Sequence, residues 1–213
     1  MKKLISIMAL ALPLLVVGVT RQTARVRVAS DPPFQLHGVK EFFASGDFAV
    51  PEGVTSLMVE MWGGGGAGFV GTPSCAAGSG GGGAYTRSVI NVVPGETYRV
   101  VVGAGGVLSG GNGGASEVLG PRSNVLLFAG GGQGGSATAG GAGGEVDPEA
   151  EISHPGFQVQ SPPFCISESG AGIAYAVNLA PNGQEGPGSI GSGGQSWPTG
   201  ATPGSPGYVL ITW

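Results

Sequence analysis

The chain has 213 residues, 45 of them glycine, with 10% charged side chains and a formal net charge of −4. An acidic balance with no basic stripe repels phosphate backbones and excludes nucleic acid as a partner. The length allows one domain with a real core, which the glycine content dilutes.

Taken in chain order, Met1-Lys2-Lys3 and the apolar run over residues 4–19 form a basic region and a hydrophobic region. The run is too short for a membrane span and is interrupted by Pro13, so it predicts an export signal. Val16-Val17-Gly18 offers small residues for cleavage, but Arg21, Arg25 and Arg27 follow closely, leaving both removal and retention as an anchor open. Residues 1–29 are therefore signal or anchor, 30–40 a short linker and 41–213 the domain, expected to be extracellular, at the cell surface or periplasmic. Membrane contact is expected only through residues 1–20, if they are kept. Removing residues 1–18 takes Lys2 and Lys3 and leaves a net charge of −6; removal through Ala29 also takes Arg21, Arg25 and Arg27 and leaves −9.

Residues 41–50 read as a strand pair or bent strand with Ser45-Gly46-Asp47 as the turn, followed by a second turn at Pro51-Glu52-Gly53. Residues 55–62 alternate with period two: Leu57, Val59 and Met61 face one side, and Met58, Glu60 and Trp62 the other. Residues 84–93 form a strand that turns at Pro94-Gly95 and pairs with residues 97–102 in a hairpin. Residues 116–119 and 124–129 are shorter strands around Gly120-Pro121-Arg122, and residues 208–213 form the last strand. Phe42, Phe43, Phe48, Trp62, Tyr85, Tyr98, Phe128 and Tyr208 fall in these strands and are expected in the core. No segment after residue 19 has sustained helical periodicity, so the fold class is all-β, a β-sandwich or jelly-roll-like arrangement.

Glycine blocks separate the strands. Four glycines follow Trp62 and four more follow Ser79; three later stretches read as Gly-Gly-X triplets. These are Gly110-Gly111-Asn112-Gly113-Gly114-Ala115, Gly131-Gly132-Gln133-Gly134-Gly135-Ser136 and Gly140-Gly141-Ala142-Gly143-Gly144-Glu145. A period of three suits polyproline II geometry, which has about three residues per turn and no internal hydrogen bonds. Two glycines per turn let neighbouring segments approach closely and pair through their backbones. Residues 136–207 are poor in large apolar side chains, and a loop region that long fits a compact domain only when functional, disordered or self-associated. The same composition also describes a flexible linker.

Cys75 and Cys165 are the only cysteines, and in an exported chain they predict one disulfide. It would close a loop of about 90 residues, worth about 4–5 kcal/mol in the chain-entropy account.

The run Phe48-Ala49-Val50-Pro51-Glu52-Gly53-Val54-Thr55-Ser56-Leu57, then Val59 and Trp62 into polyglycine, resembles the opening of the bacterial and phage glycine-rich domain. The likeness continues through Gly83-Ala84-Tyr85, Val93-Pro94-Gly95-Glu96-Thr97-Tyr98, Val102-Gly103-Ala104-Gly105-Gly106 and Gly204-Ser205-Pro206-Gly207-Tyr208-Val209. It covers about residues 41–213. The resemblance implies a β-structure carrying bundled polyglycine II segments, as in phage tail-fibre tips and secreted bacterial proteins. In the tail-fibre members, loops at the bundle tip recognise host surface molecules. This sequence differs in having its own export signal and no fibre-forming segment.

No residue pattern predicts chemistry. Val100-Val101-Val102-Gly103-Ala104-Gly105-Gly106 imitates a dinucleotide fingerprint, but position 108 is Leu where the third glycine belongs, and no helix can start after it. No Gly-Lys-Ser/Thr triplet is present for a phosphate loop. Gly191-Ser192-Gly193-Gly194 lacks the strand-to-helix turn of a nucleophile elbow. Glu145, Asp147, Glu149 and Glu151 alternate, but without the Asp/Asn-Gly spacing of calcium loops they read as a solvated acidic loop. His37 and His154 are too few for a zinc site, and Pro155-Gly156 predicts an exposed turn at His154. No cofactor and no metal are therefore expected.

Trp197 lies in a glycine-rich segment with nothing apolar nearby, which suits either stacking on a partner or capping the edge of the glycine bundle. Phe157 and Phe164, near Cys165, are weaker candidates of the same kind. The sequence thus predicts an exported, non-enzymatic structural or adhesive protein that presents rigid loops to a cell-surface glycan or protein. Ice binding and a hydrolase with an unrecognised site are the alternatives; the absence of a repeated Thr row weakens the first.

Overall fold

A computed structural model describes residues 38–72, 76–159, 172, 174 and 190–213. The export segment, the linker up to residue 37, His37, Cys75, Phe164 and Cys165 lie outside the described residues.

The described chain is all-β, with eleven strands: β1 Val39–Phe42, β2 Gly46–Ala49, β3 Ser56–Trp62, β4 Tyr85–Asn91, β5 Thr97–Val101, β6 Ser116–Leu119, β7 Val125–Ala129, β8 Ile152–His154, β9 Ser196–Trp197, β10 Gly200–Ala201 and β11 Tyr208–Thr212. One antiparallel sheet runs β1-β11-β3-β4-β8, a second runs β2-β5-β6-β7, and β9 and β10 form a small ribbon. β1 begins at Val39, inside the expected linker, and pairs with β11.

The two larger sheets enclose one core. Leu57, Val59 and Met61 face it from β3, joined by Ile90, Val209 and Ile211 from the same sheet and by Phe48, Tyr98, Val100, Val118 and Leu127 from the other. Period-two alternation puts these side chains on the inner face of each strand. Truncating a fully buried member such as Met61 to Ala costs about 2–5 kcal/mol in lost transfer energy and residual cavity.

Two expected pairings are corrected. Over residues 41–50 the strand pair is excluded and the bent strand is found: the bend falls at Phe43 and Ala44, ahead of the expected turn, since Gly46 and Asp47 already lie in β2, and β1 joins one sheet while β2 joins the other. β4 and β5 are not a hairpin either. β4 lies between β3 and β8, and β5 between β2 and β6, so both edges of each backbone are already occupied. The Pro94-Gly95 turn is an arch between sheets: Gly95 donates to Val50 O at 3.0 Å, and Val92 donates to Thr55 O at the same distance. The local turn signal is shared by hairpins and arches, and only the partners distinguish them. The two short strands expected around Gly120-Pro121-Arg122 are β6 and β7, and they pair as a hairpin.

β3–β4 and β5–β6 are antiparallel neighbours whose connections are glycine excursions. Residues 63–69 leave β3 and residues 78–84 return to β4. Across them Gly63, Gly66 and Phe69 donate to Ala84, Gly81 and Gly78 at 2.9, 2.9 and 3.0 Å. The ladder thus continues past the sheet edge, but with every third residue bonded instead of every second. The intervening amides turn to other arms. Gly64 and Ala67 donate to Gly114 and Gly111, and Gly65 and Gly68 to Ser205 and Thr202.

Carbonyls of the same 63–68 arm accept from Gly132 and Gly135, from Gly194 and from Gly106. It is therefore ringed by the arms at 78–84, 103–106, 111–114, 130–135, 191–194 and 202–205, and residues 63–68 are all buried. The 78–84 arm is enclosed in the same way. It donates to Ser136, Gln133 and Gly130 and to Gly194 and Gly191, and accepts from Gly141, Gly144 and Gly172.

Position in this bundle explains the two kinds of glycine block. A Cβ on Gly65 would collide with the Ser192 carbonyl, on Gly66 with that of Gln133, and on Gly80 with that of Gly66. Enclosed arms therefore have almost no room for side chains, and the sequence there is runs of glycine. An arm at the rim turns one residue in three outward. Asn112, Gln133 and Ser136, three of the four X positions of two triplet blocks, are exposed, and the fourth, Ala115, is half-buried. Each inter-arm hydrogen bond contributes only about 0.5–1.5 kcal/mol net, against about 1–2 kcal/mol for fixing a residue's backbone. The arms thus depend on the sandwich that anchors both ends of each excursion.

Candidate functional site

At the base of the bundle, aromatic side chains cross the outer face of the five-stranded sheet in one row. Tyr208 is opposite Trp62, Trp62 opposite Tyr85, and Tyr85 opposite His154. Phe43 stacks on the end of the row with its ring 4.9 Å from that of Tyr208, and Trp62 lies 4.9 Å from Tyr85. Ile190 and Ala174 pack on the same cluster. The Tyr208 hydroxyl donates to Glu41 Oε1 at 2.6 Å and the Tyr85 hydroxyl to Glu60 Oε2 at 2.8 Å. Burial, the bond to Glu41 and the negative charges of Glu41 and Glu60 hold the Tyr208 phenol well above its ordinary value.

This row corrects the aromatic expectations. Trp62, Tyr85 and Tyr208 are buried, but on the outer face beneath the bundle; Phe43 is 60% exposed, and Phe128 is half-buried. His154 is not in an exposed turn: it sits on edge strand β8 with its ring stacked toward Tyr85. The acidic run is not uniformly solvated either. Asp147 is buried and accepts from Phe128 N at 3.2 Å and Glu149 N at 3.0 Å, because the chain turns at Pro148.

Where the arms start, Ser116 bridges two of them, donating to Trp62 O at 2.6 Å and accepting from Gly103 N at 3.0 Å. At the far end Ser196 does the same, donating to Phe69 O at 2.6 Å and accepting from Ala77 N at 3.0 Å. The excursions therefore bring four turns together away from the sandwich: residues 69–72, 107–110, 136–139 and 196–201. Val70 N donates to Ser109 Oγ at 3.2 Å, and Gly71 N to Trp197 O at 3.3 Å, which ties three of these turns to one another. The fourth is closed by Ser136 N donating to Ala139 O at 2.8 Å.

Trp197 lies in this tip on the β9–β10 ribbon. It is half-buried, and its indole covers Gly200, where a Cβ would overlap the ring. Phe157 is not beside it. Its carbonyl accepts from Gly82 N, nearer the sandwich end of the 78–84 arm, so its exposed ring projects from the flank of the bundle. The side chains that dominate the tip surface are instead aliphatic: Val107 is 72% exposed, Leu108 52% and Val70 41%. No motif or periodicity in the sequence singles them out. The available signal was a Val-Leu pair between two glycine blocks with no strand to pack on.

The arms and tip carry no charge. No Asp, Glu, Lys or Arg occurs over residues 62–86, 100–116, 123–144 or 186–213. The described ionisable groups are on the sandwich and on the turn around Asp147. Among the described residues no group of three or more His, Cys, Asp or Glu converges as a metal site.

The model of the glycine-rich domain family matches residues 43–208, and the chain belongs to that family. The match runs from the bend after β1 to the first residue of β11 and takes in every glycine arm. Comparison with curated proteins found no match.

Proposed function

We propose that the glycine arms form a polyglycine II-type bundle and that the protein is an exported, non-enzymatic adhesive or structural protein presenting the bundle tip to a cell-surface partner. In this reading it stands with the tail-fibre-tip and secreted bacterial members of the glycine-rich domain family. A disulfide between Cys75 and Cys165 belongs to the same reading.

The observation that carries the reading is the period-three bonding of the two enclosed arms. It gives short, low-complexity loops a fixed common platform, and a chain with no structural need for that platform has no reason to spend so much glycine on it. Loops held on a rigid support lose little freedom on binding, which is how preorganisation improves affinity.

The test is to express the full chain with its own first 29 residues, label intact cells with an antibody against the domain, and measure adhesion of the purified chain to cells and to immobilised glycans. Surface labelling together with adhesion that falls when Trp197 is changed to Ala supports the proposal. A chain kept in the cytosol that adheres to neither surface overturns it.

A further inference from the structure

We infer that the tip partner is a lipid bilayer of low net charge, with Val70, Val107 and Leu108 entering its headgroup–acyl boundary. The inference rests on the presentation reading above and names the class of partner. These three are large apolar side chains on adjacent turns, joined by the Val70–Ser109 bond. They stand out from the end of the bundle, where none of the described residues covers them. Phe69 is half-buried on the first of these turns and Trp197 on the 196–201 turn tied to it by the Gly71 N–Trp197 O bond, and a partly covered indole suits the interfacial zone. Exposed Thr72, Ser109, Ser136, Thr138 and Thr199 surround them with uncharged hydroxyls.

Charge separates a bilayer from other partners. Insertion is opposed chiefly by dehydrating ionised groups, and the tip has none to dehydrate. The sandwich carries the charge, with Lys40, Arg87, Arg99 and Arg122 outnumbered by acidic residues including Glu41, Asp47, Glu52, Glu60, Glu96 and Glu117. The molecule is thus an apolar, neutral tip on an acidic body. An anionic leaflet repels that body at low ionic strength, where the Debye length reaches about 30 Å at 0.01 M salt; at 0.1 M it is roughly 10 Å, shorter than an arm of extended backbone rising about 3.1 Å per residue. A zwitterionic surface admits the tip without that opposition. A polybasic lipid binder behaves in the opposite way, gaining affinity from anionic lipid and losing it with salt.

The experiment uses the full chain and phosphatidylcholine vesicles, with phosphatidylglycerol added in a second series; every variant carries Leu14→Arg/Leu15→Arg, which removes the apolar run at residues 4–19 as a competing membrane contact. Flotation should fall at least tenfold with Val107→Asp/Leu108→Asp and stay within twofold with Val89→Asp, an exposed apolar site on the sandwich. Phosphatidylglycerol should weaken binding at about 0.01 M salt, and raising the salt to about 0.1 M should restore it. Val107→Trp adds an indole whose emission, taken as the difference from the parent chain, should be quenched by brominated phosphatidylcholine. Flotation that ignores the tip aspartates, or an unquenched indole, overturns the inference. So does a dimer in light scattering that the aspartates abolish, which would assign the patch to a second copy. Glycine amides that remain protected from exchange while vesicles go unbound would sink the lipid inference alone; unprotected amides would sink the presentation reading itself.

Discussion

The Ser196 hydroxyl donates to the Phe69 carbonyl across 127 positions of sequence, at 2.6 Å, while accepting from Ala77 N. One small side chain thereby closes both backbone groups where the first excursion turns. Ser196→Ala leaves a carbonyl and an amide without that partner. The expected loss is about 1–3 kcal/mol, the cost of unsatisfied buried groups. Urea denaturation measures it, and hydrogen exchange should show the added opening concentrated in residues 69–78.

Enclosed and open glycines should respond differently to one methyl group. Gly66→Ala drives a Cβ into the Gln133 backbone, which has no room to move without displacing its own arm. The bundle should lose its order, at a cost of more than about 3 kcal/mol, beyond the ordinary range for single substitutions. Gly95→Ala meets no atom and costs only for its φ of 79°, about 1–2 kcal/mol. Gln133→Ala at an exposed X position should stay within about 0.5 kcal/mol. Midpoints of chemical denaturation for the three variants should fall in that order.

Tyr208 makes stability sensitive to alkaline pH. Its folded-state value is raised above the ordinary 10.0, so the unfolded chain loses the phenolic proton first. Below that value the phenol is neutral in both states and its contribution is fully present. Above it the unfolded state gains by ionising, and stability falls with rising pH until the folded phenol also titrates. The melting temperature should be level through neutral pH and drop above about pH 10. Tyr208→Phe should flatten that drop while lowering stability at neutral pH through loss of the Glu41 bond.

The Asp147 carboxylate is tied to backbone amides of Phe128 and Glu149. Asp147→Ala should cost about 1.5–3 kcal/mol, the range for hydrogen bonds to a charged group. Glu149→Ala, an exposed neighbour, should leave the melting temperature nearly unchanged.

Much of this architecture is written locally. The alternation through Leu57, Val59 and Met61 identifies β3 and its inner face, and the Gly-Gly-X period marks segments with one open side. The partners are not written locally. Backbone amides bond alike whatever lies beside them, so nothing in Gly63-Gly64-Gly65-Gly66 says that successive amides serve three different arms. For the same reason Pro94-Gly95 cannot reveal whether its strands share a sheet. At the tip, Trp197 was legible as a large side chain among glycines. Val70, Val107 and Leu108 were not, because their exposure follows only once the arms are seen to carry their turns away from the core.

The central claim is that the glycine arms are an ordered, mutually bonded bundle, and amide hydrogen exchange of the full chain followed by NMR tests it most directly. Gly65, Gly66, Gly80 and Gly81 donate to Ser205, Gly81, Gly194 and Gln133 from buried positions. Their amides should exchange at least about a hundredfold more slowly than that of exposed Gly53, approaching the protection of β3 and β4. Exchange of these four at the rate of an unstructured chain, with the strands still protected, would contradict the account.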